Sequence, residues 1–405
     1  MDLDRMRAEA RQLFNAGVAA ADPYAAVKKA LDDTPVADGT PIIAVGKAAR
    51  RMAEAALDVA ASPGPVLIVT NPENAAKVPG AQVFAAAHPV PDAVGLAASE
   101  AVEAVLEAAD GEVLALISGG GSALLPAPAA GLTLEDKAVV SALLLASGAE
   151  ITEMNLVRQS LSRLKGGGML RAAAPAHVRA LIVSDVIGDD LRAIASGPTV
   201  APLGTRAEAR ALCEGYGIWD KLPESVKSHL ATAAPLADLP EATNTLIGSN
   251  TQSLMAMAAE AGTVGGPVHI HTPALVGDVE EAARRVAGAV DPGIHLFGGE
   301  TTVRLQGNGK GGRNQELALR VALHLEKSGR PWVYLQGGTD GRDGPTDAAG
   351  GLMDADRLQK MRRFADIEAG LADNDAYTLL KAGDALLMTG GTGTNVADLG
   401  VLILG

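Results

Sequence analysis

The sequence predicts an α/β protein: a doubly wound parallel-sheet domain followed by a second domain with a mixed α/β sheet. Three observations predict it. Short β-branched apolar runs alternate with helical patterns, the rhythm of βαβα units. Six glycine-laden stretches, most of them set immediately after such a run, let backbone N–H groups approach an anion without a Cβ in the way. The 405 residues also exceed the roughly 250–300 at which a single core stops growing, so two domains with a cleft between them are expected.

In chain order, residues 42–45 read as a strand feeding a helix over 47–60, and 66–69 as the next strand. Residues 82–85 and 92–108 repeat the strand–helix pair, 113–117 ends in Ser118-Gly119-Gly120-Gly121-Ser122, and 180–183 ends in Ser184-Asp185. Residues 131–165 have helical spacing without strands, and Thr133-Leu134-Glu135-Asp136 is a helix start. From 201 to 243 the chain is rich in Pro, Ala and isolated charges, and 245–248 with 250–261 restart the pattern, which sets the domain boundary near 240. Residues 294–297 and 301–305 flank Gly298-Gly299 as a hairpin or bulged pair, and 313–325 is helical in spacing. The expected domains are 1–240, completed by a returning strand within 385–405, and 241–384.

Bulk properties exclude several classes. A formal net charge of −14 argues against nucleic acid or an anionic membrane as partner, so a substrate anion must be met locally by Lys, Arg and backbone amides. The single cysteine, Cys213, rules out an intrachain disulfide framework or a cysteine-rich zinc site and suits a reducing cytoplasm. The start of the chain lacks the basic-then-apolar order of a signal peptide, and no apolar run approaches the ~20 residues of a spanning helix. The expectation is a cytoplasmic protein with small-molecule partners, with a homo-oligomer left open.

The motifs point to phosphate chemistry. Gly46-Lys47 joins a strand to a helix, but the first glycine of a P-loop is missing and no Ser or Thr follows the lysine. A lysine there opposes the helix dipole unless an anion joins it. Ser122 is not the nucleophile of a Gly-x-Ser-x-Gly elbow, because Leu124 occupies the second glycine position; the loop from Ser118 to Ser122 reads as a phosphate or substrate cradle. Gly307-Asn308-Gly309-Lys310-Gly311-Gly312 formally matches a dinucleotide fingerprint but lacks the acid expected ~20 residues on. Arg313, which follows it, can grip phosphate bidentately. Acids cluster at Asp185, Asp189 and Asp190 and at Asp340, Asp343 and Asp347. Neither cluster has EF-hand spacing, and either could serve magnesium, which needs only one or two carboxylates beside phosphates. Backbone nests, a few cations and loose acids form the inventory of phosphoryl transfer.

At these residues the chain resembles the glycerate 2-kinase family, whose members are often labelled hydroxypyruvate reductases. The resemblance runs through Val45-Gly46-Lys47-Ala48, His88-Pro89-Val90-Pro91-Asp92, the loop from Ser118 to Leu125, Asn155 to Arg158 with Ser162 to Gly168, and Ser184 to Leu191 with Ala195 to Thr199. It continues through Gly298 to Val303, Gly309 to Leu317, Gly338 to Gly350 and Thr389 to Leu399. Gly391 stands where the family pattern has proline, which loosens that turn but leaves Thr392, Thr394 and Asn395. The resemblance implies a Rossmann-like N-terminal domain, a mixed C-terminal domain and an active site between them. It implies ATP and Mg2+ as co-substrate and metal, with the 2-hydroxyl of D-glycerate phosphorylated to 2-phosphoglycerate. Carried over, Lys47 and Arg313 are the catalytic cations. Asp189 is the first choice for the metal or the substrate hydroxyl, with Asp340 its rival. Ser118, Gly119, Gly120, Gly121, Ser122, Asn250, Glu300, Asp340, Thr394 and Asn395 complete the binding set. The alternative, an NAD(P)H-dependent hydroxypyruvate reductase, requires a Gly-x-Gly-x-x-Gly after the first strand, which Gly46-Lys47-Ala48 does not supply.

Overall fold

In the computed structural model, which describes residues 2–232 and 238–405, the chain divides into two units. One is Pro23–Ile247; the other is Met1–Asp22 together with Gly248–Gly405.

The unit Pro23–Ile247 is built on six strands: β1 (Ile42–Val45), β2 (Val66–Thr70), β3 (Gln82–Ala85), β4 (Glu112–Ile117), β5 (His177–Val183) and β6 (Ala242–Gly248), in the spatial order β3-β2-β1-β4-β5-β6. The first five run parallel to one another. The central strands are continuous apolar runs because both faces are covered. Ile43, Val45, Leu67, Val69, Val113, Ala115 and Ile117 share one core with the helices Ala93–Glu107 and Gly168–Ala173. The alternate residues Ile42, Ala44, Ile68, Leu114 and Leu116 are fully buried on the opposite face. The order reverses between β1 and β4, and ligands of open parallel sheets bind outside the strand ends at such a switch point. Register brings the ends level: Val45 pairs with Ile117, and Ile117 with Ile182, so the loops starting at Gly46, Ser118 and Ser184 leave one end of the sheet. The helical stretch expected over 131–165 is two helices, Leu134–Ala146 and Ile151–Ser160. Thr133 caps the first by accepting from the Asp136 N–H while the Asp136 carboxylate accepts from the Thr133 N–H.

The second unit is a mixed sheet of β7 (Val268–Ile270), β8 (Leu275–Asp278), β9 (Gly293–Thr302), β10 (Trp332–Gly338), β11 (Gly350–Asp354), β12 (Leu386–Leu387) and β13 (Asp398–Leu404), ordered β12-β11-β10-β13-β9-β7, with β8 also on β9. Period-two alternation divides its strands between two cores. Leu296, Val333, Leu335, Leu399, Val401 and Ile403 pack with Met6, Leu13 and Phe14 of the helix Leu3–Ala20 and with Leu254 and Met257 of the helix Asn250–Val264. Phe297, Trp332, Tyr334, Leu402 and Leu404 pack on the other face with the helices Val279–Ala287 and Arg313–Leu325.

This arrangement corrects the expected domain limits. The C-terminal strand does not complete the first sheet; β13 is a central strand of the second, antiparallel to β10 and β9. An apolar run marks a strand buried on both faces but does not say in which sheet. Residues 3–20, expected in the first domain, cover the second sheet, and the boundary lies at Ile247/Gly248 rather than near 240. Residues 1 and 233–237 of the expected first domain lie outside the described residues. Nor is there a hairpin at Gly298-Gly299: β9 runs unbroken through both glycines, and Gly299 pairs there with Leu275 of β8, whose backbone a Cβ would overlap. Phe14 is fully buried, against Gly337 of β10. Phe14→Ala should therefore destabilise this unit by about 3–5 kcal/mol, read by urea unfolding with Trp332 as the fluorescent reporter. An unchanged midpoint would detach the N-terminal helix from that core.

Candidate active site

At the switch point of the Pro23–Ile247 unit, the loops after β1 and β4 are stitched together. The Lys47 N–H donates to the Gly119 carbonyl at 2.9 Å, and the Ala48 N–H to the Ser118 hydroxyl at 3.1 Å. Gly46, at φ +124°, admits this approach, since a Cβ there would overlap Ser118. A Cβ on Gly119 would overlap the Asp185 carboxylate, and one on Gly120 would press the Lys47 stem at 3.1 Å. The Lys47 charge bears on two neighbours. Desolvation pushes the Asp185 carboxyl above its ordinary range and Lys47 partly reverses this; the His88 pKa is lowered by burial and by Lys47. Lys47, Gly119, Gly120, Asp185 and His88 therefore form one cluster.

The rest of the cradle is braced from beneath. The hydroxyls of Ser122 and Ser196 share a hydrogen bond of 2.7 Å. Ala195 and Ser196 hold φ of +50° and +62°, a left-handed conformation that costs non-glycine residues energy and persists only when the surroundings impose it. The Lys165 ammonium donates to the carbonyls of Ser122 at 2.6 Å and Leu125 at 3.2 Å. Ser118 is 2% exposed, with its hydroxyl on Val45 and Ala48, so it ties the loops together rather than facing solvent. Asp189 lies further along the loop after β5, at φ +55°, and its buried Oδ1 has no hydrogen-bond partner.

In the other unit the ends of β9, β10 and β13 converge on the start of the helix Arg313–Leu325. Arg313 forks onto Asp398 with Nε at 2.6 Å and Nη2 at 3.1 Å, and its Nη1 meets Glu300 at 2.8 Å. Burial alone would lower the Arg313 pKa, but the bonds to Asp398 outweigh it and raise it; burial in turn raises Asp398 against the pull of Arg313. The Asp343 carboxylate caps the helix, accepting from the N–H groups of Asn314 at 3.1 Å and Gln315 at 2.8 Å. Desolvation pushes it up to about 6 despite those bonds. Asn314 links Asp398 to Gln336, and Gln336 accepts from the Tyr334 hydroxyl.

The remaining expected residues divide. Glu300 joins Arg313 with its side chain 45% exposed, so it is free to exchange partners. Asp340 is half-buried: Oδ1 accepts from the Arg342 N–H and its carbonyl from the Thr392 N–H, beside the loop carrying Asn395. Asn395 is half-buried and accepts from the Ala397 N–H. Asn250 and Thr394 point inward. Asn250 braces the carbonyls of Val396 and Asp398, and Thr394 bonds the Ala21 carbonyl. Among the described residues, no group of three or more His, Cys, Asp or Glu could hold a metal. Sequence reasoning missed Asp398, whose signal is an acid opening an otherwise apolar strand. It also passed over Asp185 for Asp189 and gave Lys165 no role.

Lys165 offers a test. Burial, and secondarily the charge of Arg158, lowers its pKa from 10.5 to about 7. Between these values the unfolded chain binds more protons than the folded one, so stability rises with pH, by up to about 1.4 kcal/mol per unit. Lys165→Met should flatten part of that rise between pH 7 and 10; Lys137, likewise depressed by burial, keeps the remainder. Identical pH dependence of the urea midpoints in both proteins would contradict the buried, depressed lysine.

Comparison with known proteins places this geometry. Residues 9–231 match a family described as a domain of unknown function (DUF4147), and residues 293–398 match the MOFRL family. The chain is 38% identical to the glycerate 2-kinase of Pyrococcus horikoshii over 97% of this chain and 96% of that one. It is 40% identical, over 98% and 94%, to an Agrobacterium vitis protein whose name, hydroxypyruvate reductase, is provisional. The crystal structure of glycerate kinase from Thermotoga maritima superposes with a TM-score of 0.93 at 36% identity, covering 99% of this chain and 100% of that one. Likeness of this degree along nearly the whole of each chain shows that the protein belongs to the glycerate kinase family.

Proposed function

We propose that the protein transfers the γ-phosphoryl group of ATP to the 2-hydroxyl of D-glycerate, giving 2-phosphoglycerate. The observation that carries the reading is Lys47, standing with Gly119 and Gly120 at the switch point of a β3-β2-β1-β4-β5-β6 sheet. The names of the relatives support glycerate as the acceptor.

In this reading Lys47, at the start of the helix Ala49–Val59, neutralises charge on the transferring phosphoryl, with the helix N-terminus adding to the field. Asp185, close to the Lys47 charge and with its pKa raised by burial, accepts the proton that leaves the 2-hydroxyl. Within the other unit, Arg313 is oriented by its fork on Asp398, and its Nη1 edge would be open to an anion once Glu300 yields. The orphaned Asp189 Oδ1 suits a cation ligand, and a magnesium ion held there would take its other ligands from phosphate oxygens and water and lower the charge of the polyphosphate. The hydroxypyruvate reductase reading is weakened by the end of β2, where a dinucleotide site has an acidic residue for the ribose and this chain has Thr70-Asn71.

A coupled assay for ADP release from ATP and D-glycerate, run beside NADH oxidation with hydroxypyruvate, should be positive in the first arm and negative in the second; the reverse would install the reductase. Lys47→Ala should lower kcat at least ~100-fold, about 2.7 kcal/mol, with unchanged circular dichroism, whereas normal turnover would make Lys47 a bystander. Magnesium titrations of the two aspartate variants address the metal. Asp189→Asn should need much more Mg2+ for half-maximal rate while Asp340→Asn tracks the wild type; the opposite pattern would give the metal to Asp340, and two unchanged curves would reject both.

A further inference from the structure

Within the Pro23–Ile247 unit, a cavity of about 520 Å³ opens beside Gly120, and its wall carries Lys137, Lys165 and Arg158. Lys137 and Lys165 are 9% and 4% exposed. Each gives two hydrogen bonds to carbonyls, Lys137 to Pro126 and Leu161 and Lys165 to Ser122 and Leu125, which leaves one donor of each ammonium's three. Arg158 is half-buried on the helix Ile151–Ser160, and among the described residues no carboxylate lies within ion-pair distance of it and no Asp or Glu lines the cavity. The cations depress one another: burial first, and then the charges of Lys165, Arg158 and Arg163, lower the Lys137 pKa. Cations gathered on one buried wall without a counter-charge are costly, and an anion in the cavity removes that cost.

The occupant can be narrowed by size and polarity. Three cations exceed what a single carboxylate can use, and a three-carbon acid would leave most of the cavity empty. The volume falls within the roughly 300–1,000 Å³ of pockets that hold drug-sized ligands. Much of the remaining lining is apolar and includes Val90 and Leu145, 65% and 72% exposed, a surface suited to an aromatic base. Gly120 belongs both to this lining and to the Lys47 cluster, since a Cβ on it would lie 3.1 Å from the lysine stem. We infer that this cavity binds the nucleoside triphosphate, with the phosphate chain along Arg158, Lys165 and Lys137 toward Gly120 and the base against Val90 and Leu145. The inference rests on the kinase reading for a nucleotide being used at all.

Calorimetric titration of the whole protein tests it, with Mg2+ and a non-hydrolysable ATP analogue, tripolyphosphate or 2-phosphoglycerate as probes. Arg158→Ala should weaken the ATP analogue about 10- to 100-fold, the worth of a charge-assisted hydrogen bond, and should weaken tripolyphosphate with it, while the KM for D-glycerate moves less than about threefold. Ala142→Trp, which fills the cavity from the helix Leu134–Ala146, should weaken the ATP analogue more than tripolyphosphate. Thermal unfolding of both variants confirms folding. Wild-type analogue affinity in both folded variants, with glycerate phosphorylation intact, overturns the pocket and leaves the kinase reading standing. A loss confined to 2-phosphoglycerate also overturns it, by making the cavity a product site. A wild-type protein that neither binds nor turns over any nucleotide overturns both.

Discussion

The structure depends on the contact between the loops that follow β1 and β4. Parallel strands end level only if their exits do not collide, and here the exits approach until the Lys47 N–H reaches the Gly119 carbonyl and the Ala48 N–H reaches the Ser118 hydroxyl. Gly46 and Gly119 make this possible, one because its Cβ would strike Ser118 and the other because its Cβ would strike Asp185. The glycines thus fix side chains other than their own. They hold a lysine and an aspartate at a sheet switch point, and in the proposed function these fixed charges would act on the reacting group without further reorganisation.

Charge is distributed unequally in the two units. Around the switch point of Pro23–Ile247 the loops and the adjoining cavity gather Lys47, Lys137, Arg158 and Lys165, with Asp185 beside Lys47. Around Arg313 the balance is reversed, because one guanidinium meets Asp398 and Glu300 while Asp343 already caps the helix that it opens. The first unit therefore offers an anion the larger excess of cations. In the second it must displace Glu300, the exposed member of the set. A chain of net charge −14 can handle anionic substrates because its cations are concentrated rather than numerous.

Much of this was legible in the sequence, and the failures have physical causes. The strand–glycine–helix rhythm located β1, β4 and β5 and with them Lys47 and the loop from Ser118 to Ser122, because close approach of one loop to another requires glycine and so leaves a local trace. Arg313 was legible for the same reason. Asp398 was not, since its partner Arg313 is 85 residues away and only the β9-β13-β10 order brings them together. The fate of the C-terminal strand was equally hidden: Val401 and Leu402 are apolar because both faces of β13 are covered, and either sheet could have supplied that cover. The helix Leu3–Ala20 packs on strands more than 270 residues downstream, a contact that no local pattern encodes. Asn250 and Thr394 entered the expected binding set with the family resemblance, and the backbone carbonyls that their side chains bond belong to contacts no local pattern encodes.

The central claim is that the missing Cβ of Gly119 keeps Asp185 beside Lys47. Gly119→Ala tests it most directly, because the atom displaced is the end of a flexible carboxylate and not backbone, so the protein should fold. The measurement is kcat for D-glycerate phosphorylation alongside the unfolding temperature. A fall of roughly 100-fold, the scale of a displacement of about 1 Å in a catalytic group, with the unfolding temperature nearly unchanged, is the predicted result. Undiminished turnover in the folded variant would contradict the account.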